Sequence, residues 1–278
     1  MKKLACYFNG KFTTVDKVNI KPYDIGFLRG YGVFDVMRTQ NKKTFLLDEH
    51  WKRFSNSAKE LNLSVPIKKE AYEKIVQKLL TLNNFPKATI RTVLTGGPSA
   101  NGFQRIEKNE TFLILIEKFH ALPDEVFRLG ASAMTYQFDR DYPHAKITNY
   151  VAAIKNQGLK EKNKHLEIIY LKNGLAIEAS TSNFFIVKNN KLITEKNGIL
   201  LGITRNIVIK LAKKHGFQVE ERSLSEKELF TADEIFLTAT NKDIVPIVKI
   251  DKQKIGTGKP GKVTQAIMEI FQDFSNNY

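Results

Sequence analysis

The stretch Pro143-His144-Ala145-Lys146-Ile147-Thr148-Asn149-Tyr150 contains the lysine on which our interpretation of this chain depends. Lys146 gains its significance from three other segments, His50-Trp51-Lys52-Arg53, Glu178-Ala179-Ser180-Thr181-Ser182-Asn183-Phe184-Phe185 and Gly202-Ile203-Thr204-Arg205. Together the four segments offer an amine, an arginine, a carboxylate and the expected N-terminus of a helix. Arginine and a helix N-terminus bind phosphate, and a carboxylate can hold the nitrogen of a heterocyclic ring. The set therefore predicts a site for a phosphorylated cofactor.

The composition is that of a globular protein with a sizeable core. The 278 residues are 42% hydrophobic, which is enough for one large or two ordinary domains. Cys6 is the only cysteine, so no internal disulfide can form, as expected in the reducing cytoplasm. No apolar stretch approaches the roughly 20 residues that cross a bilayer. We expect a cytoplasmic protein that does not bind membranes.

The chain is strongly basic, with a formal net charge of +15 from 44 basic and 29 acidic residues. Such a balance is found in nucleic-acid-binding proteins. Here the lysines are scattered along the whole chain, and no arginine-rich tract with interleaved aromatic residues stands out. We therefore favour a solvated basic surface, which would also attract anionic cofactors and oxo acids.

Hydrophobic periodicity predicts a mixture of helices and short strands. Strands are predicted at residues 4–8, 11–15, 88–94, 111–117, 129–136, 166–171, 175–179, 183–188 and 234–238. The first two flank Asn9-Gly10, which predicts a two-residue hairpin. In the third, Ile90 and Leu94 share one face and Arg91 takes the other. Helices are predicted from a cap at Asp48 through Leu61, and at 68–82, 149–162, 204–215 and 262–274. The pattern breaks at His120-Ala121-Leu122-Pro123-Asp124. We therefore predict an α+β fold of two domains, 1–119 and 128–278, joined by a linker at 120–127.

The four segments, in this order, resemble the class IV aminotransferases, which are fold type IV pyridoxal phosphate enzymes. The resemblance extends from Tyr7 to about Thr264. It includes Gly30-Tyr31-Gly32-Val33-Phe34-Asp35, Ala232-Asp233-Glu234-Ile235-Phe236 and Val245-Pro246-Ile247. It implies two α+β domains, a homodimer, and pyridoxal 5'-phosphate held between the domains, with a neighbouring subunit completing the substrate pocket.

The resemblance implies a role for the lysine and its two nearest functional partners. Lys146 would form the Schiff base with the cofactor and act as the catalytic residue, because its released amine can move a proton. Tyr150 would donate a hydrogen bond to the phenolic oxygen of the cofactor. Glu178 would keep the pyridine nitrogen protonated, so that the ring can withdraw electrons. The alternatives are a core-packing aromatic for Tyr150 and a solvated strand end for Glu178.

The phosphate of the cofactor would be bound from three places. Arg53 stands where the family holds its phosphate-binding arginine. Gly202-Ile203-Thr204 precedes the helical stretch Asn206 to His215, whose free N–H groups and dipole favour a dianion. Thr240 would offer a second hydroxyl. A surface arginine, a helix-capping threonine and a turn threonine are the alternatives. Residues that would support the geometry of the site are Ser180, Thr181 and Asn183.

The substrate segments match no single branch of the family. Phe34-Asp35-Val36-Met37-Arg38 lacks the glycine of branched-chain enzymes, and Thr95-Gly96-Gly97-Pro98-Ser99 lacks the Arg-x-His of D-amino acid enzymes. Asn241-Lys242 replaces the small residues usual after the phosphate loop. Arg29 and Arg91 could trap a substrate carboxylate instead, or could form ordinary ion pairs. The substrate-binding candidates are Arg29, Tyr31, Phe34, Arg91 and Asn241.

We therefore predict an aminotransferase that moves an amino group between an amino acid and a 2-oxo acid. We expect D-amino acids as the favoured substrates, with branched-chain L-amino acids next. The alternative within the fold is a 4-amino-4-deoxychorismate lyase, which would share the cofactor residues. A nucleic-acid-binding module without catalysis would leave the ordered motifs unexplained. In the expected homodimer, the turn from Arg29 to Gly32 would lie near the active site of the partner.

Overall fold

The computed structural model describes residues 3–278, which divide into two compact units. The first unit runs to His120 and also takes in Ala145–Tyr150. The second unit comprises Ala121–His144 and Val151–Tyr278. This division differs from the domain bounds predicted above, because the segment around Lys146 belongs with the first unit. The structure also differs from the predicted linker at residues 120–127, because a helix begins within that segment at Asp124.

Within residues 3–120, six strands form an antiparallel sheet with the order β2-β1-β6-β5-β3-β4. The strands are β1 Ala5–Phe8, β2 Lys11–Thr14, β3 Gly32–Gln40, β4 Lys43–Thr44, β5 Ala88–Thr95 and β6 Thr111–Lys118. The helices of this unit are α1 Ile25–Arg29, α2 Leu47–Glu60 and α3 Lys69–Asn83. Strands β1 and β2 pair antiparallel and are joined by Asn9-Gly10, where both residues have positive φ. This confirms the predicted hairpin.

The core of the first unit lies on one face of this sheet. Burial alternates along β5, so that Ile90 and Leu94 face the core and Arg91 points to the other side, as predicted. Phe54 of α2 and Val76 of α3 pack against the same core. Burying each such side chain stabilises the fold by about 1.5–3 kcal/mol. The opposite face of the sheet is therefore the one that α2 and α3 do not cover.

The predicted cap of α2 at Asp48 is wrong. The helix begins at Leu47, and its N-cap is Leu46, which adopts a left-handed φ of 57°. Asp48 therefore lies inside the first turn, where its carboxylate forms an ion pair with Lys69. An acidic side chain in the first turn still interacts favourably with the helix dipole. Asp48 therefore marks the start of the helix in the sequence, although it is not the capping residue.

The second unit contains a mixed sheet with the order β12-β11-β10-β13-β14-β7-β8-β9, in which β15 pairs with β14. Its strands are β7 Ala131–Gln137, β8 Glu167–Lys172, β9 Leu175–Ala179, β10 Asn183–Lys188, β11 Lys191–Thr194, β12 Val219–Glu221, β13 Glu234–Ala239, β14 Asp243–Ile250 and β15 Gln253–Lys254. Its helices are α4 Asp124–Leu129, α5 Val151–Lys155, α6 Gln157–Lys162, α7 Ile203–Lys214, α8 Glu226–Phe230 and α9 Lys262–Asn276. The core is built by apolar side chains of the central strands, including Ile169, Phe184, Leu237 and Val245.

Two of the three helices predicted for this part of the chain are confirmed, and the third is divided. The predictions 204–215 and 262–274 correspond to α7 and α9. The predicted helix 149–162 is broken at Asn156 into α5 and α6. The Nδ2 of Asn156 donates to the carbonyl of Ala152 at 2.8 Å, and such side-chain bonds compete with regular helix. None of the helices within residues 3–278 is long and apolar enough to cross a membrane.

Candidate active site

Lys146 is held in the first unit by backbone bonds to β3 and a side-chain bond to α2. The N–H of Phe34 donates to the carbonyl of Lys146 at 2.9 Å, and the N–H of Thr148 donates to the carbonyl of Gly32 at 2.9 Å. The N–H of Lys146 donates to Oγ of Ser57 at 3.0 Å. The segment thus extends the edge of β3, and the position of the lysine is fixed from both sides.

The amine of Lys146 lies against an aromatic surface. Its Nζ is 4.7 Å from the ring centroid of Phe34 and 3.5 Å from Oη of Tyr150. The rings of Phe34 and Tyr150 meet edge to face, with centroids 5.5 Å apart. The structure therefore brings together three of the predicted site residues, and it places a hydroxyl beside the amine.

Arg53 is paired with a buried aspartate that the sequence did not single out. The carboxylate of Asp35 accepts from Nε of Arg53 at 2.7 Å and from Nη2 at 3.0 Å, and it lies 2.5 Å from Nδ1 of His50. Burial would raise the pKa of the Asp35 carboxyl, but the charges of Arg53 and His50 hold it well below its usual range. Burial in turn lowers the pKa of His50. Within residues 3–278, Nη1 of Arg53 has no acceptor, so it can bind a phosphate oxygen.

Glu178 is buried in the second unit, at the end of β9, with 3% of its surface exposed. Its carboxylate forms an ion pair with Arg140, and it accepts from the N–H of Leu200 at 3.1 Å. The Nδ2 of Asn183 lies 3.4 Å from the same carboxylate and 2.8 Å from the carbonyl of Leu200. These donors fix the orientation of the carboxylate. Arg140 was not predicted from the sequence, because it lies in a loop with no periodic pattern.

The N-terminus of α7 is shaped by a close approach at Gly202. Asn183 Oδ1 accepts from the N–H of Gly202 at 3.1 Å, and a Cβ at this position would lie 2.0 Å from that oxygen. Gly202 is the N-cap and has no side chain with which to cap the first turn. Ile203 and Thr204 follow, both buried. N–H groups at such a helix N-terminus suit a phosphate dianion.

Arg205, the last residue of the Gly202–Arg205 motif, anchors the same helix. It is 1% exposed, and its Nη2 donates to the carbonyl of Glu195 at 2.8 Å and to the carboxylate of Glu221 at 3.2 Å. Burial lowers the pKa of its guanidinium, while Glu221 opposes that effect. The arginine therefore holds the start of α7 against β11 and β12. Arg205 is part of the sequence motif, but its role in anchoring the helix was not predicted from the sequence.

The other predicted cofactor residues of the second unit lie in two loops. Ser180 and Thr181 follow β9, and both donate hydrogen bonds to the buried Glu167. Thr240 follows β13 and is half-buried. Thr238, two residues earlier, is buried, and its Oγ1 has no hydrogen-bond partner in the described chain. An unpaired buried hydroxyl of this kind is consistent with a further ligand in this region.

The substrate candidates are dispersed over the first unit, with Asn241 exposed in the second. Arg29 is exposed, and its Nη1 donates to the carbonyl of Leu28 at 3.1 Å. Arg91 forms an ion pair with Glu117, with Nη2 3.1 Å from the carboxylate. The hydroxyl of Tyr31 donates to the carbonyl of Leu61. Among residues 3–278 no contact joins Arg29 to Arg91 within the single chain.

Phe34 and Arg91 nevertheless share one face of the sheet. Arg91 lies opposite Val36 in the register of β3 and β5, and Phe34 is two residues before Val36 on the same strand. Directly opposed residues and residues two apart point to the same face. This is the face turned away from α2 and α3, and it carries the aromatic ring that contacts Nζ of Lys146.

The chain is similar to known proteins over almost its whole length. The family described as Amino-transferase class IV matches residues 32–250. A protein of Methanocaldococcus jannaschii named "Putative branched-chain-amino-acid aminotransferase" is 34% identical, over 99% of this chain and 98% of its own length. D-alanine aminotransferase of Bacillus licheniformis is 28% identical, over 96% of this chain and 95% of its own.

The fold is also similar to a solved structure that holds a form of the expected cofactor. This is a branched-chain amino acid aminotransferase from T.th., complexed with N-(5'-phosphopyridoxyl)-L-glutamate. The TM-score is 0.89 at 26% identity, over 100% of this chain and 95% of the other. The similarity in fold therefore covers both compact units.

Proposed function

Because the chain belongs to the class IV aminotransferases, we propose that it transfers the amino group of an α-amino acid to a 2-oxo acid by a ping-pong mechanism. Enzymes of this family use pyridoxal 5'-phosphate. The observation that carries the proposal is the placement of Lys146, whose backbone is fixed by β3 and α2 and whose Nζ lies beside Phe34 and Tyr150.

The residues fit the chemistry of this cofactor. The first unit supplies the amine of Lys146, the hydroxyl of Tyr150 for the phenolic oxygen, and Nη1 of Arg53 for a phosphate oxygen. From the second unit, Glu178 offers a carboxylate for the pyridine nitrogen, and the first turn of α7 offers N–H groups for the phosphate. When bound, the cofactor withdraws electrons from the substrate Cα.

Lys146 would act as the proton carrier of the reaction. With its amine released by the substrate amine, Nζ of Lys146 would take the proton from the substrate Cα and would carry that proton during transfer of the amino group. Tyr150 lies 3.5 Å from this nitrogen and can orient it by hydrogen bonding. Phe34 excludes water from one side of the amine, since its ring covers Nζ at 4.7 Å.

The substrates would be amino acids with an apolar side chain. The sequence placed D-amino acids ahead because Arg29 and Arg91 could form a trap, but Arg91 is paired with Glu117 and Arg29 is exposed. Phe34 and Val36 offer apolar surface on the face that carries the Lys146 amine, which suits a branched side chain. We therefore place branched-chain L-amino acids first and D-alanine second, the two classes for which the relatives are named.

A half-reaction screen tests this proposal. The purified protein is loaded with pyridoxal 5'-phosphate, and loss of the visible absorbance of the lysine-bound cofactor is followed with each D- and L-amino acid. We expect borohydride to fix the cofactor onto Lys146, and we expect fast reaction with L-leucine. Fast reaction with D-alanine and none with L-leucine would reverse the substrate order. A protein that takes up no cofactor, or one that releases pyruvate and 4-aminobenzoate from aminodeoxychorismate, would overturn the function.

We also propose that the enzyme is a cytoplasmic homodimer. Three large apolar side chains of the first unit are exposed, with Tyr23 at 58%, Phe27 at 75% and Phe103 at 78%. The loop that carries Phe103 approaches α1 and the segment before it, since a Cβ on Gly102 would lie 3.0 Å from Leu28 of α1 and 3.6 Å from Tyr23. Contiguous exposed apolar surface is typical of subunit interfaces. The cytoplasmic location rests on the lone cysteine, Cys6.

A further inference from the structure

The second unit contains a buried carboxylate that the proposed reaction does not use. Glu167 opens β8 and is 1% exposed. Its Oε1 accepts from the N–H of Ile168 at 3.1 Å and from the hydroxyl of Ser180. Its Oε2 accepts from Thr181 at 2.6 Å, Ser182 at 3.0 Å and Nζ of Lys242 at 2.7 Å. Five donors therefore converge on one side chain.

Lys242 is the cation of this cluster, and all of its hydrogen-bonding capacity is used. Its Nζ contacts Glu167 at 2.7 Å, Oγ1 of Thr181 at 2.6 Å and Oγ of Ser182 at 3.3 Å. An ammonium has three N–H groups, so each has an acceptor. The Lys242 side chain is 12% exposed. It is therefore unsuited to bind a substrate carboxylate, although it lies close in sequence to Thr240.

The cluster connects the two loops that carry predicted cofactor residues. Ser180 to Ser182 lie between β9 and β10, beginning two residues after Glu178. Lys242 lies between β13 and β14, two residues after Thr240. The two loops emerge at the same end of the sheet, because β10 and β13 are neighbours and Asn183 lies opposite Thr238.

The Glu167 carboxylate remains ionised at any pH at which the enzyme is assayed. Burial would raise the pKa of the Glu167 carboxyl, but Lys242 and the serine and threonine hydroxyls lower it to about 2. Removing one partner of such a pair would leave an uncompensated buried charge, whereas removing both would not. The hydrogen bonds of Glu167 and Lys242 therefore join the two loops.

We propose that Glu167 and Lys242 are positioning residues that set the affinity for the cofactor by holding the Thr240 loop against the segment that follows Glu178. This inference rests on the proposed function, because Thr240 and Glu178 are cofactor residues only if that function is correct. Neither member of the pair contacts a reacting atom. The pair should therefore influence how tightly the cofactor is held and leave the chemical step unchanged.

The test compares Lys242→Met with the matched control Lys191→Met. Lys191 also forms an ion pair in this unit, with Glu220 at 3.0 Å, but both side chains are substantially exposed. We expect Lys242→Met to raise the dissociation constant of pyridoxal 5'-phosphate by about 10- to 100-fold, as loss of orienting partners does at metal sites. The kcat at saturating cofactor should stay unchanged in both variants, and Lys191→Met should bind the cofactor normally.

The double variant Glu167→Gln/Lys242→Met guards against a failure of the single variant to fold, since it removes the uncompensated charge. It should unfold at nearly the wild-type temperature and bind the cofactor no more weakly than Lys242→Met. Normal cofactor affinity in both variants, or a loss of kcat at saturating cofactor, would overturn the inference. A wild-type protein that borohydride cannot label at Lys146 would instead overturn the proposed function itself.

Discussion

Asp35 binds Arg53 through two hydrogen bonds, 2.7 Å from Nε and 3.0 Å from Nη2, in a part of the first unit where Asp35 is 4% exposed. The aspartate lies on β3 and the arginine on α2, so the pair joins the sheet to the helix. A bidentate contact of this kind fixes the plane of the guanidinium. Arg53 is thereby presented with Nη1 in a defined direction before any phosphate arrives.

Asp35→Asn should therefore destabilise the protein and weaken cofactor binding. The substitution leaves the Arg53 guanidinium without its counter-ion, and breaking a buried pair costs about 3–5 kcal/mol. Urea unfolding of the apoprotein measures this loss. Asp16→Asn is the control, because Asp16 pairs with Lys3 at 3.0 Å on the surface and should contribute little. Equal unfolding midpoints for the two variants would contradict the prediction.

Acid unfolding should include a contribution from Glu167. The folded pKa is about 2 and the ordinary value is 4.5, so the stabilising contribution is complete above pH 4.5. It is lost as the pH falls from about 4.5 towards 2, and it amounts to about 3 kcal/mol. Glu167→Gln should flatten the stability profile in this window. A profile that keeps the wild-type slope would show that the carboxylate does not titrate as described.

Gly202→Ala should weaken cofactor binding through the start of α7. The added Cβ would lie 2.0 Å from Oδ1 of Asn183, so the hydrogen bond to the N–H of residue 202 cannot persist. Fluorescence titration with pyridoxal 5'-phosphate should show the loss. Gly158→Ala is the control, since no atom outside its chain neighbours and the adjacent helix backbone would lie within 4 Å of the added Cβ, and alanine should stabilise α6 by about 0.5–1 kcal/mol. Similar affinities in both variants would exclude this N-terminus as the phosphate site.

Lys146→Ala should abolish transamination while the fold and some non-covalent cofactor binding remain. The methyl group cannot form the covalent link or carry a proton, yet the backbone bonds of this segment do not depend on the side chain. Mass spectrometry after borohydride reduction should find no labelled peptide. Lys155→Ala, which changes an exposed lysine of α5, should label and turn over normally. Turnover in Lys146→Ala would assign the chemistry to another residue.

Phe103→Asp should dissociate the proposed dimer. This side chain is 78% exposed in the isolated chain, and a carboxylate in an apolar interface would be strongly unfavourable. Sedimentation measures the mass, and activity should fall with it. Leu129→Asp changes a residue of the second unit that is 54% exposed, and it should leave the dimer intact. A wild-type protein that is fully active as a monomer would refute the proposal.

The sequence predicted those features that depend on local patterns. Alternation in β5, the helix that follows Gly202 and the hairpin at Asn9-Gly10 are all present in the structure. Strand β14 was not predicted, because Pro246 lies in it and proline is unfavourable in strand interiors. Its partner residue there is Phe236 of β13. Tertiary pairing thus overrode a local preference that disfavours a strand.

The only site residues that could be predicted from the sequence were those that belong to a recognisable motif. The partners of its charged groups are distant in sequence, with Arg140 38 residues from Glu178 and Lys242 75 residues from Glu167. Hydrophobic periodicity cannot predict such a contact, because the contact forms only when the fold brings distant loops together. Arg91 shows the opposite case, because its position on the strand was predicted while its ion pair with Glu117 became visible only in the sheet register.

The assignment of Ala145–Tyr150 to the first unit makes that unit discontinuous along the chain. Proteolytic cleavage near residue 121 would yield an N-terminal fragment that lacks the edge segment bonded to β3, together with its lysine. The remaining fragment would carry that segment on its own chain and could restore it by strand complementation. The protein is thus a natural candidate for a split enzyme, in which activity reports the reassociation of two inactive pieces.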